Sequence, residues 1–416
     1  MNKISALLVI LACIAARDAS AQMPLPSTVT LDDVLRLFND RSPRTLADRA
    51  TVDITAADRV SARTYPNPDV SYGAVHLVSG LSTGAVTQQQ VVLDQPLLVF
   101  KQRQARLGAA DLNVTAEQAH VDESLGARRL QVRQAFATLL SRQQQLAAVQ
   151  NNVADLQRVE GVVRGRAEAG ERSDYDVARI EIETERVHVE MMNAEADVDD
   201  AAGQLATLLG FPGWSPHAVG PLDPDPAVPT DVDTLWATAQ QRRPSLVAIR
   251  RQQAAARGGL FLAQRERLPV PAFSAGTQMT HEVTGTSTFF GFSMPLPLFD
   301  RNQGAIARAT AQVRAQDLAL EAELAEARAD IERATTVLAK RRQALTELEA
   351  HVVQRVPTLR RMSEDAYREG GADILELLDA LRSVKDIEIA HVQQLESTKL
   401  AEEVVVAAAG LDAGPP

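Results

Sequence analysis

At 416 residues the chain is long enough for two or three globular domains, yet aromatic residues make up only 4% of it and long tracts are Ala, Gln, Arg, Glu and Leu. That composition belongs to long helices and coiled coils and speaks against a set of ordinary compact cores. A net charge of −11 argues against nucleic acid as the main partner, and a single cysteine, Cys13, excludes a disulfide scaffold.

Residues 1–21 have the parts of a secretory signal peptide. Lys3 supplies the positive start, Ile4 to Ala16 the apolar run, and Ala19-Ser20-Ala21 an A-x-A cleavage site before Gln22. Leu11-Ala12-Cys13 is a weaker candidate for a lipoprotein site, because Leu11 is a poor residue at that position. After Ala21 no apolar run reaches the roughly 20 residues of a membrane-spanning helix.

Thr30 with Asp33 three residues on marks a helix start, followed by Leu31, Val34, Leu35 and Phe38 at helical spacing. Ser42 and Pro43 fit the cap and first position of a second helix, which Tyr65-Pro66-Asn67-Pro68 stops. From Asp69 the period changes to alternation. Val70, Tyr72, Ala74, His76 and Val78 share one face, and after the turn around Ser79–Gly84 a second stretch runs from Val86 to Gln95. Gln88, Gln89, Gln90 and, later in the chain, Glu282 are read as polar-face residues. A helix is then expected from Lys101 to Ala169, about 100 Å long, and a returning helix from Ser173 to Leu209. Leu130, Val132, Phe136, Leu139 and Leu140 are spaced for lateral packing. Residues 212–230 are Pro-rich and read as a linker.

Beyond the linker the same order returns. Arg41-Ser42-Pro43 reappears as Arg242-Arg243-Pro244, Tyr65-Pro66 as Leu268-Pro269, and Pro96–Lys101 as Pro295–Asp300. Phe273, Ala275, Thr277, Met279 and Val283 face one way, against Ser274, Gly276, Gln278 and Thr280. Phe290, Phe292 and Met294 then oppose Gly291 and Ser293. A second long helix runs from Gly304 to Glu369, with a break expected at Pro357, and its return from Asp373 to Ala409. Order duplicated at a fixed offset means two copies of one unit. The expected domains are therefore 1–21 signal peptide, 22–211 first repeat, 212–230 linker, 231–410 second repeat and 411–416 disordered tail.

Strands of roughly ten residues with one apolar face suit a tilted membrane strand. Four strands cannot close a barrel, for which about eight is the minimum, and lipid permits no open edge. If these strands lie in a membrane, several chains must share one barrel. The seven histidines show no pair at metal-binding spacing, and no phosphate loop, G-x-S-x-G, H-E-x-x-H or C-x-x-C occurs. No enzyme, no cofactor and no metal site is expected. The turns at Gly170–Ser173 and Gly370–Asp373 each combine a glycine C-cap with a Ser or Asp N-cap, which is how helical hairpins turn. Glu376 and Asp379 are like charges three apart, mildly unfavourable unless something uses them.

With the duplicated unit, the run Pro295-Leu296-Pro297-Leu298-Phe299-Asp300-Arg301-Asn302-Gln303-Gly304 and the Gly-x-x-Ser/Asp turns in hand, the chain resembles the TolC-type outer-membrane efflux family over Thr30 to Gly410. The Pro-Leu-Phe-Asp-Arg-Asn-x-Gly run is similar to the heavy-metal (CzcC-like) subgroup. The resemblance implies a mainly α fold with a small membrane β part, as two tandem repeats of helix, β-hairpin and long helical hairpin. Three such chains would form a twelve-stranded β-barrel continued by an α-helical barrel in the periplasm. It implies a passive exit duct in the outer membrane of a Gram-negative bacterium, working with a periplasmic adaptor (membrane fusion) protein and an RND-type inner-membrane pump. By position, Gly170, Ser173, Gly370 and Asp373 become adaptor-contacting tips, and Asp176, Glu376 and Asp379 become aperture acids. Arg179 stands where Asp379 has its counterpart, and Lys101-Gln102-Arg103 replaces the Asp-Arg-Asn run. The rival readings are a periplasmic adaptor, which would need a lipoyl-like β-domain beside one hairpin, and an exported coiled-coil scaffold.

Overall fold

The computed structural model describes residues 25–80, 87–168, 174–281 and 285–412. A short strand β1 (Thr28–Val29) leads to helices α1 (Leu31–Asp40) and α2 (Pro43–Arg63), then strands β2 (Asp69–His76) and β3 (Thr87–Pro96). Helices α3 (Gln102–Glu168) and α4 (Asp174–Leu209) follow, and then β4 (His217–Ala218). The order continues with α5 (Val232–Arg242), α6 (Pro244–Glu266), β5 (Ala272–His281), β6 (Gly285–Ser293), α7 (Gln303–His351), a 3-10 turn at Val353–Arg355, α8 (Val356–Glu369) and α9 (Ile374–Ala409). The order of two short helices, two strands and two long helical stretches thus occurs over residues 31–209 and again over 232–409. Among the described residues no helix is long and apolar enough to cross a membrane.

The element ends follow from local chemistry. Thr30 and Asp33 form a reciprocal cap: the Asp33 amide donates to the Thr30 hydroxyl (3.3 Å), and the Thr30 amide and hydroxyl both donate to the Asp33 carboxylate (3.1 and 2.7 Å). Those bonds hold the Asp33 carboxyl below its usual range. Pro43 begins α2 as expected, but Ser42 does not cap it with its side chain; its buried hydroxyl finds no hydrogen-bond partner. Ser42 therefore serves by its extended backbone (φ −63°, ψ 120°). The long stretch expected to break at Pro357 does so, with the 3-10 turn before α8 and the proline within its first turn.

Strands β2, β3, β5 and β6 form one antiparallel sheet in that order, ten residue pairs joining β3 to β5 from Thr87↔His281 to Pro96↔Ala272. Residues directly opposite share a face. Val70, Tyr72, Leu93, Val91, Phe273, Ala275, Phe290 and Phe292 therefore fall together, and Asp69, Asp94, Ser274, Gln88, Gln90 and Gln278 lie on the other side. Gln89 is a correction. It stands opposite Ala74 and Met279 and so belongs to the apolar face, because strict alternation cannot put three successive glutamines on one side. Phe289 lies on the polar face opposite Gly276. Glu282 and Val283 lie outside the described residues, as do the signal segment, Val86 and all of the tail beyond Asp412. Among the described residues, the outer strands β2 and β6 each have one unpaired edge.

The chain divides into two compact units, each drawing on both halves of the sequence. Unit 1 takes residues up to Phe38, Ala135–Leu222 and Arg355–Val392. Its core joins Val149, Leu156 and Val163 of α3, Ile180 and Val187 of α4, Tyr367 of α8, and Ile374, Leu378 and Leu381 of α9. Unit 2 takes Asn39–Gln134, Asp223–Gln354 and the remainder from Gln393, and holds the sheet. Leu235 and Ala239 of α5 pack there against Ile331 and Leu338 of α7 and Ala401 and Val405 of α9.

Residues 212–230 contain no helix but are more than a connector. In unit 1, β4 pairs parallel with β1, and the Trp214 indole donates to the Pro26 carbonyl (2.9 Å). In unit 2, Arg342 donates to the carbonyls of Asp225 and Val228 (2.7 and 3.1 Å), while the Asp225 amide donates to the buried Glu402 carboxylate (2.6 Å). Composition shows only that such a segment avoids helix. Its anchoring depends on partners more than a hundred residues away.

Candidate functional site

Two regions gather the residues the sequence singles out: the turns between long helices in unit 1, and the ends of the sheet in unit 2. At the α8–α9 turn the helix closes on Gly370, whose φ of 79° is left-handed and costs glycine little. The amides of Gly371 and Ala372 both donate to the Ala366 carbonyl (2.8 and 3.1 Å). Helix α9 then opens with a reciprocal cap. The Glu376 amide donates to Asp373 Oδ1 (2.8 Å), and the Asp373 amide donates to Glu376 Oε2 (3.2 Å). Glu376 and Asp379 are both exposed.

This geometry answers the question the like charges pose. Glu376 serves the cap of its own helix, and Asp379 lies in the field of Arg382, whose guanidinium pKa is raised first by Glu183 and further by Asp379 and Asp386. The structure thus places Asp373 at the cap just before α9, and Glu376 and Asp379 within its first two turns. At the other turn Gly170 and Ser173 lie outside the described residues; Asp176 and Arg179 are half-buried in the first two turns of α4.

Below these turns sits a polar core that the sequence reading did not single out. Glu183 of α4 is buried and accepts from two arginines. Arg186 of the same helix donates through Nη2 and Nε at 2.6 and 3.2 Å, and Arg382 of α9 through Nε at 2.7 Å and through Nη2. The Arg382 bonds are the largest cause of a Glu183 carboxyl held down at about 2. One turn on, buried Lys385 donates to both Glu190 oxygens (2.7 and 2.8 Å). Arg360 of α8 bridges Asp155 of α3 (3.3 Å) and Glu388 of α9 (2.9 Å). Burial raises the Glu388 carboxyl, against the pull of Arg360. Arg166, near the end of α3, donates to the Tyr367 carbonyl (3.1 Å) and lies 5.6 Å from its ring centroid. Apart from the Arg186–Glu183 pair within α4, each of these contacts ties α3 or α4 to α8 or α9, or α8 to α9. Their sequence signal is weak, since Glu183 and Arg382 stand 199 positions apart.

In unit 2 the strand-to-helix turns are built twice on one plan. The Val99 amide donates to the Leu97 carbonyl (3.0 Å), and the Leu298 amide to the Leu296 carbonyl (2.9 Å). Lys101 (φ 64°) and Asn302 (φ 59°) take left-handed corners. Gln102 and Gln303 then accept from the amides of Phe100 and Arg301 (2.9 and 2.7 Å). The structural counterpart of Lys101 is therefore Asn302, not Asp300, and the later turn is two residues longer. The Asn302 side chain also donates to the Ala263 carbonyl (2.8 Å), locking this corner to α6. Among the described residues no cluster of His, Cys, Asp and Glu is arranged to hold a metal ion. The arrangement offers charge, apolar surface and unpaired strand edges.

The family model described as outer membrane efflux protein matches residues 34–211 and 235–411. The cobalt-zinc-cadmium resistance protein CzcC of Cupriavidus metallidurans is 26% identical over 384 residues, which cover 91% of this chain and 89% of that protein. Among solved structures, CusC superposes with a TM-score of 0.72 at 14% identity, covering 94% of this chain and 95% of that one. The outer membrane protein VceC of Vibrio cholerae superposes with a TM-score of 0.70 at 16% identity, covering 91% and 96%.

Proposed function

The chain belongs to the outer membrane efflux protein family, and from that premise we propose that it is the exit duct of a tripartite efflux system. In this reading it passes substrates passively from an RND-type inner-membrane pump, through a periplasmic adaptor, to the outside. The family consists of outer-membrane channel proteins, and this one acts by conduction rather than by a catalysed step.

The observation that carries the reading is the sheet. Four strands of eight to ten residues have one apolar face and, among the described residues, two unpaired edges. In lipid an unpaired edge is not tolerated, so the edges of β2 and β6 must meet strands of other copies. Three copies make a twelve-stranded barrel, above the roughly eight strands that closure needs. Each copy is a tandem repeat, 22–211 and 231–410 joined by 212–230, so that three chains give a pseudo-sixfold helical tube below the barrel.

The turns Gly170–Ser173 and Gly370–Asp373 are the tips that meet the adaptor, and Asp176, Glu376 and Asp379 are the acids of the periplasmic aperture. An acidic constriction concentrates cations and repels anions. The likeness to a cobalt-zinc-cadmium resistance protein supports divalent metal cations as cargo. The test is conductance in planar bilayers. Asp176→Ala with Glu376→Ala and Asp379→Ala should raise single-channel conductance and weaken block by multivalent cations. Conductance and block equal to those of the parent protein would remove these residues from the aperture.

A further inference from the structure

The strand-to-helix turns at residues 96–102 and 295–303 carry several exposed large apolar side chains. Phe299 is 91% exposed, Leu296 66%, Leu298 63% and Val99 57%. The alternation of the apolar face does not stop where pairing stops. Phe290, Phe292, Met294, Leu296 and Leu298 are all exposed at every second position, although β6 ends at Ser293. Register places both turns at one end of the sheet, with Pro96 opposite Ala272 and Ala272 opposite Ser293.

Two further features suit this surface to an apolar medium bordered by phosphates. Several backbone donors are locally satisfied: Leu97 donates to the Pro271 carbonyl (2.7 Å), Val99 and Leu298 close their own short turns, Phe100 and Arg301 donate to Gln102 and Gln303, and Pro96, Pro295 and Pro297 have no amide to satisfy. The charge at this end is also inverted relative to the chain. Arg63, Lys101, Arg103, Arg265, Arg267 and Arg301 outnumber Glu266 and Asp300 on the elements that meet here, in a protein of net charge −11; Asp69 and Asp94 belong to the opposite, polar face. Arg103 lies over the Tyr65 ring at 4.6 Å and Arg265 over the Phe261 ring at 5.0 Å. Aromatic surface beside cations is the composition of a membrane–water boundary.

We propose that these two turns form an anchoring collar. Val99, Phe100, Leu298 and Phe299 seat in the acyl–headgroup boundary of the membrane leaflet on the helical side, and Lys101 and Arg301 meet anionic lipid phosphates. This rests on the outer-membrane channel reading and deepens it by naming the residues that fix how far the sheet sinks. Continuity with the apolar face and the local excess of cations favour lipid over a second copy of the chain as the occupant.

Nitroxide labels test it in a Cys13→Ser background, which removes the one native cysteine. Phe299→Cys and Val99→Cys are labelled in the full-length protein reconstituted into phosphatidylethanolamine–phosphatidylglycerol vesicles, with Phe290→Cys as the mid-sheet control. Collision with oxygen and with an aqueous nickel chelate is then measured. The control should be oxygen-accessible and nickel-protected, with positions 99 and 299 intermediate and mobile. Low access to both reagents at 99 and 299 would mean burial against a second copy, and free nickel access would mean water; either overturns the collar while the control upholds the channel. A nickel-accessible control overturns the channel reading and the collar with it. Lys101→Glu with Arg301→Glu should raise nickel access at position 299 about twofold in these vesicles, and no change would remove the phosphate contacts.

Discussion

Glu183 is the residue on which acid sensitivity of the helical region should centre. Its carboxyl is held at about 2 against the usual 4.5, chiefly by Arg382. A depressed carboxyl contributes stability that is complete above pH 4.5 and is lost as pH falls from there towards 2. Glu388 works in the opposite sense, because burial raises its carboxyl and protonation relieves that cost. Arg382→Ala leaves Glu183 buried with Arg186 alone and should cost roughly 2 kcal/mol, less than the ~3–5 kcal/mol of a fully stripped buried charge. Trypsin resistance and circular dichroism followed from pH 7 to 3 should show the variant failing at a higher pH than the parent. An unchanged acid profile would mean that the pair holds nothing together. The capping pair Asp373 and Glu376 shows the same economy at the turn: the carboxylate proposed for the aperture also satisfies its helix's own amide.

At the scale of elements, the sheet depends on one close approach. A Cβ at Gly276 would lie 2.5 Å from the Phe289 ring and 2.7 Å from the Val91 carbonyl oxygen, and that oxygen belongs to the neighbouring backbone and cannot swing aside. At Gly291 a Cβ would meet only the Ser274 side chain, at an ordinary 3.6 Å or more. Gly276→Ala should therefore destabilise the assembled sheet by roughly 1–3 kcal/mol, whereas Gly291→Ala stays close to neutral. Lower heat resistance of the folded species on gels would register the difference. Equal behaviour of the two variants would show that the sheet gives way at Gly276. Among the helices, α3 runs unbroken for 67 residues, while its later counterpart is divided at Val353–Arg355. Pro357 explains that difference, and the earlier stretch has no internal proline.

For the whole molecule the decisive fact is that one chain supplies one four-stranded sheet whose outer edges, on β2 and β6, are unpaired among the described residues; the proposed duct has other copies pair with them. Unheated detergent extracts should migrate as a species about three times the 45.0 kDa chain and collapse to the monomer on boiling, with the protein in the outer-membrane fraction. A soluble periplasmic monomer would sink the duct. The deletion phenotype belongs to this scale as well: greater sensitivity to divalent metals than to hydrophobic drugs would support the proposed cargo.

Much of this architecture is legible in the residues because its signals are local. The change of period at Asp69, the Thr30–Asp33 cap, the break at Pro357 and the glycine at the α8–α9 turn each depend on neighbours within a few positions, where sterics and capping act directly. Tertiary structure alone decided which distant partners meet. It joined β3 to β5, set Arg382 on Glu183, pinned residues 212–230 to β1, Arg342 and Glu402, and put Gln89 on the apolar face. The physical reason is that periodicity and caps are written in spacing along the chain, whereas pairing across nearly two hundred residues is settled only when burial and ladder hydrogen bonds select one register.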